Sequence, residues 1–151
     1  MRKLIVSEAM TVERENGSTA MKMKVIAYWV TIAFLLFNML AGGIAELLQQ
    51  PDTVEGMILL GYPVYFVMIL GVWKVLGTIA LLVPGFPRLK EWAYAGIFFN
   101  MTGAAISHAV SGSAAWHVYY TSFLAVLTLT SWALQPQSRT LGVLFPARMA
   151  R

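Results

Sequence analysis

One lysine stands deep inside an uncharged run: Lys74 has eleven uncharged residues before it back to Pro63 and thirteen after it up to Arg88. At mid-depth in hydrocarbon an ammonium costs at least ~2.5 kcal/mol, so such a residue marks an ion-pair partner, a ligand contact or a proton path. Few acids, amides or imidazoles accompany it in the apolar runs. Asn38 and Glu46 lie in the first, Asn100 and His108 in the third, and His117 begins the fourth. Spacing groups them: Asn38, Gly42 and Glu46 recur every four residues, as do Gly96, Asn100, Ala104 and His108. Such rows drift slowly around one helix face, which here points into a bundle.

Relative depth follows if the first and third runs cross outward and the second returns. Asn38, Lys74 and Asn100 then fall near the midplane, and Glu46 and His108 each lie eight residues further out, about 12 Å of helical rise. His117 starts its run at a similar outer level. The expected arrangement is an outward-facing polar funnel, with Lys74, Asn38 and Asn100 at its floor and Glu46 with one or both histidines at its mouth. Two readings of Lys74 compete: a structural ion pair with Glu46, and a group that binds a ligand or handles a proton. A histidine with an ordinary pKa near 6.5, hydrogen-bonded to Glu46, would relay protons at the outer surface. Haem or metal ligation by His108 and His117 is disfavoured, because a Ser-Gly-Ser turn separates them and the chain supplies few further ligands. Interhelical hydrogen bonding is the favoured role of the asparagines. Glu91, beside Arg88 and Lys90, is expected to compensate the dipole at a helix N-terminus.

The elements that position these groups are four apolar spans. Val25 to Ala45 is uncharged over 21 residues, about 31 Å as a helix, which matches the ~30 Å hydrocarbon core. Pattern and punctuation place helices at about 25–48, 63–83, 91–110 and 114–134, with a short interfacial helix from Asp52 to Leu60 closed by Gly61. Asp52 is expected to cap that short helix and Ser113 to cap the fourth span. Residues 1–24 read as a polar, poorly ordered tail without a signal peptide's apolar core, and 136–151 as a basic C-terminal tail. Lysines and arginines number ten in the two tails and the second loop against none in the first and third loops. The positive-inside rule therefore puts both termini in the cytoplasm. Trp29, Tyr62, Trp92, Trp116 and Trp132 fall near helix ends, where aromatic belts sit, whereas Trp73 does not.

Composition agrees with that architecture. The chain is 58% hydrophobic and 12% charged, about half the charge of a soluble domain. The fold class read from it is an all-α membrane protein, a four-transmembrane-helix bundle. No cysteine is present, which excludes thiol catalysis and iron–sulfur ligation by this chain. The net charge of +4 is explained by the loop asymmetry rather than by nucleic acid, and no phosphate loop, GxSxG, HExxH or EF-hand pattern occurs.

The stretch LGVWKVLGTIALLVPGFPRLKEWAYAGIFFNMTGAAISH, residues 70–108, resembles the signature region of the DoxX-like family of small four-helix membrane proteins. Trp73, Lys74, Glu91, Trp92, Ser107 and His108 are among the residues that carry the likeness, which extends over about residues 23–135. The wider DoxX group is linked to membrane oxidoreductase complexes and accessory roles. The resemblance thus implies a subunit or accessory of a redox or small-lipophile system in a bacterial inner membrane, and the depth and spacing of the polar residues mark Lys74, Glu46, Asn38, Asn100, His108, His117 and Trp73 as the candidate pocket. A quinone-like molecule is the cofactor to consider, and a small lipophilic or anionic ligand, a protein partner or a second copy of the chain are the candidate partners besides lipid. The alternatives are a small oligomeric transporter, and an assembly module without a small-molecule site.

Overall fold

The computed structural model describes residues 2–136 and 139–140, and side chains from residue 13 onward. Five helices follow one another: α1 (Arg2–Leu47), α2 (Pro51–Leu59), α3 (Val64–Leu82), α4 (Pro87–Val110) and α5 (Ala115–Ala133). Among the described residues there is no strand.

Helix α1 is 46 residues long, so the polar segment expected as a separate tail continues the first span as helix. Its Arg, Lys, Glu, Met and Ala residues are good helix formers, and it lacks proline. Every residue from Glu13 to Ile26 is exposed. Gln49, in the left-handed region at φ 49°, turns the chain out of α1. The cap of α2 differs from expectation: Gln50 occupies the N-cap position with no side-chain bond, Pro51 takes the first turn, and Asp52 lies within it. Proline's fixed φ pre-sets that start, and the Asp52 carboxylate then meets the positive end of the helix. Gly61, at φ 86°, supplies the backbone that closes α2.

The turn between α3 and α4 is held from within. Gly85 has φ 90°, and the Lys90 ammonium donates to the Val83 carbonyl, one of the acceptors that a helix end leaves unpaired. Lys90 is buried there. Helix α4 begins at Pro87, four residues before the charge pattern placed it, because proline again serves as a first-turn residue. Ser113 does not cap α5. Ala114 holds that position, and the Ser113 hydroxyl bonds Ser111 at 2.8 Å.

The long helices contact in the cyclic order α1, α3, α4, α5 and back to α1. One end of this ring is filled. Tyr28, Ile32, Leu35 and Met39 of α1 pack with Leu81, Tyr94, Ile97, Met101, Leu124 and Ala125 of the other three helices. The Tyr94 and Ser131 hydroxyls bond at 3.0 Å inside it, and Arg139 closes the base by donating to the Tyr28 hydroxyl and the Leu81 carbonyl, each at 3.3 Å. Outward, Phe37, Val72, Ile79, Phe99, Ile106 and Val126 are exposed around the ring. An apolar surface so extensive is solvated by lipid rather than water. Two of the helices are long and apolar enough to cross a membrane, residues Glu13–Leu47 and Val64–Leu82. Helices α4 and α5, of 24 and 19 residues, pack beside them.

Candidate functional site

Beside this core the helices line a partly open cavity of about 840 Å3 that runs from Leu89 and Trp92 at the start of α4 to Met57 and Tyr62 at the opposite end. Both four-residue rows face it, Asn38, Gly42 and Glu46 from α1 and Gly96, Asn100, Ala104 and His108 from α4, with Lys74 and Trp73 from α3. Met57 of α2, with Leu60 and Tyr62 just after it, completes the wall.

Lys74 is placed by glycine. A Cβ on Gly71 would lie 2.9 Å from the Gly43 carbonyl and 3.0 Å from Leu47, so α1 and α3 approach as only two glycines allow. The close contact sets Lys74 level with Gly43, because a Cβ there would meet the Lys74 Cβ at 3.0 Å. This register lies between Asn38 and Glu46, outward of the floor that depth counting assigned to the lysine. From it the ammonium reaches Glu46 and donates to Oε1 in an ion pair. The two side chains are 14% and 6% exposed, so the pair is largely withdrawn from water. Glu46 Oε2 is buried without a hydrogen-bond partner.

Asn38 is used up locally: its amide donates to the Phe34 carbonyl at 2.8 Å, and its Oδ1 accepts from the Tyr120 hydroxyl of α5. Asn100 lines the cavity across from it. Trp73 forms part of the wall while 65% exposed, which leaves the indole between cavity and lipid. His108 and His117 come together as stacked rings, 4.8 Å between centroids and 11° between planes, and each keeps Nδ1 buried without a partner. The expected histidine bond to Glu46 is not formed; that carboxylate is turned to Lys74. His108 borders the cavity and His117 backs it. Among the described residues no three His, Cys, Asp or Glu side chains gather in a metal-binding group. Glu91 lies apart from the cavity and accepts a 2.6 Å bond from the Trp132 indole, tying α4 to α5.

Sequence reasoning does not assign three of the groups that build the site. Tyr62 closes the wall beside α2 through a 2.6 Å bond to Ser107, stacked on Phe66 at 5.0 Å. Tyr120 holds Asn38, and Gly43 admits α3. A signal existed for the second: His117, Thr121, Leu124, Thr128 and Ser131 alternate at four and three residues, marking the inner face of α5 with Tyr120 on its flank. Tyr62 and Gly43 carry no such signal, since one lies in a connection and the other adjoins a glycine already assigned to a row.

Chemically, the cavity offers a mainly apolar space with one buried ion pair, two amides, an imidazole and a few hydroxyls on its wall. A sequence profile of the DoxX-like family matches residues 29–131, from the first apolar span through nearly all of α5. No curated protein and no solved structure matches the chain. The lipid-facing surface, the apolar helices and a profile match over more than half of the sequence lead to one assignment: this membrane protein belongs to the DoxX-like family.

Proposed function

We propose that the protein is a four-span inner-membrane subunit or accessory of a redox or small-lipophile system, and that its cavity holds a small lipophilic molecule with a polar, quinone-like head. The observation that carries this reading is the cavity of about 840 Å3, mainly apolar, with the Lys74–Glu46 pair, Asn38, Asn100 and His108 and a few hydroxyls on its wall. Binding sites for small molecules have this size and this composition, with a few polar groups fixing the head. An ion pair buried there costs desolvation energy that a purely structural bundle has no need to spend. In this reading α4 and α5 cross the membrane beside α1 and α3, both termini face the cytoplasm, and α2 lies along the outer surface over the cavity.

The test is extraction. Protein purified in native lipid should carry a lipophile at close to one molecule per chain, identified by mass spectrometry against the bulk membrane extract. A variant with the cavity filled, Gly96→Phe, should carry none. Recovery of the same molecules in the same proportions from both proteins would refute the reading.

A further inference from the structure

The headgroup charge of the bound molecule follows from how Lys74 is compensated. Alone, the lysine would make the cavity a receptor for an anion. Its ammonium instead donates to Glu46, and both charges are buried side by side. Among the residues lining the cavity these are the only lysine, arginine, aspartate or glutamate, so the wall carries one positive and one negative charge in contact. A proton moved along the Lys74–Glu46 bond leaves that sum unchanged. His108 is the remaining titratable group beside the pair apart from the Tyr62 and Tyr120 hydroxyls, and those are bonded to Ser107 and Asn38. Behind His108 lies His117, stacked on it, so a charge on one ring opposes a charge on the other.

We propose that Glu46 is the specificity determinant of the cavity: by cancelling Lys74 it excludes anionic lipophiles and selects an uncharged one whose head carries hydrogen-bonding oxygen. This inference rests on the ligand-binding reading above and narrows it to one chemical class. An ion of either sign entering the cavity would lose its hydration and find no uncompensated counter-charge, whereas a neutral carbonyl or hydroxyl head loses little. Lys74 keeps ammonium protons beyond the one given to Glu46, and the Asn100 amide borders the same space, so donors for such an oxygen are present. Because one carboxylate sets the preference, its removal should not abolish binding but change what binds.

Three probes sharing one decyl tail separate the possibilities: a benzoquinone, a benzoate and a trimethylanilinium. Binding of the quinone is read from quenching of Trp73 and Trp92, which border the cavity, and the ions are read as competitors. Wild type should bind the quinone and be displaced by either ion at least tenfold less effectively than by unlabelled neutral compound. Glu46→Gln should gain at least tenfold for the benzoate, Lys74→Met should gain for the ammonium probe, and Lys74→Met/Glu46→Gln should hold the quinone and neither ion. Wild-type protein that takes the benzoate as tightly as the quinone overturns the inference, as does a quinone-binding Glu46→Gln variant without the gain, and both results leave the ligand reading standing. Binding of no probe by any variant overturns the reading itself. Where a single variant fails to fold, the wild-type ranking and the double variant decide.

Discussion

Removing either member of the Lys74–Glu46 pair should destabilise the bundle far more than removing both. With side chains 14% and 6% exposed, neither charge retains bulk water on losing its partner. Breaking a buried pair costs ~3–5 kcal/mol, while replacing both members by apolar or neutral groups is often close to neutral. The attraction can be gauged separately: two unit charges 4 Å apart at an effective dielectric of 20 interact by about 4 kcal/mol. Partial opening of Lys74 to the cavity lowers this attraction, but the cost of stranding one buried charge adds to it, so the coupling should exceed ~3 kcal/mol. Lys74→Met and Glu46→Gln should therefore each lower the unfolding midpoint in detergent or lipid, and the double variant should recover most of the loss. The assay is a double-mutant cycle on reversible unfolding, followed by near-ultraviolet circular dichroism. Single effects that add to within ~0.5 kcal/mol would show that the two side chains do not act on each other, and the geometry of the cavity would then be wrong.

Other substitutions probe the elements that build the site. Gly71→Ala sets a methyl against the Gly43 carbonyl and Leu47, so a loss of ~1–3 kcal/mol is expected by thermal unfolding, whereas Gly17→Ala, with nothing near its Cβ, should be neutral or stabilising. Gly96→Phe meets no atom within 4 Å of its new Cβ and borders the cavity. It should keep the unfolding midpoint within a few degrees and abolish quinone quenching; retained quenching would place the ligand elsewhere. The absence of cysteine permits a topology test: single cysteines at Gln50 or Gly112 should react with impermeant maleimide on intact cells, and one at Gly85 should not. Labelling at position 85 would invert or break the four-span arrangement.

Much of the site was legible because membrane spans make polar residues conspicuous. Lys74 and Glu46 stood out by charge, and the four-residue rows through Asn38 and Asn100 gave the faces that turn inward. Register was less accessible. Depth counting treats each span as starting at the same plane, but the Gly43–Gly71 approach slides α3 so that Lys74 meets Glu46 and leaves Asn38 to Tyr120. Close backbone contacts set such offsets, and a single sequence does not say which glycines meet. The histidines were placed at the right level with the wrong partner, since a ring stack across a turn depends on the angle between α4 and α5. Capping was misread for a local reason: an acid or serine before an apolar run suggests an N-cap, yet Pro51 sets the start of α2 without one, and Ser113 bonds Ser111 while Ala114 precedes α5.

The central claim is that the cavity beside Lys74 is a site for an uncharged lipophile. Its most direct test is the density around that side chain in a structure of the protein in native lipid. One discrete molecule should occupy the space between Lys74, Asn100 and Trp73, with an oxygen within hydrogen-bonding distance of Lys74 or Asn100 and the Lys74–Glu46 pair intact. A closed, empty interior, or a lipid phosphate seated on Lys74 with Glu46 turned away, would contradict it.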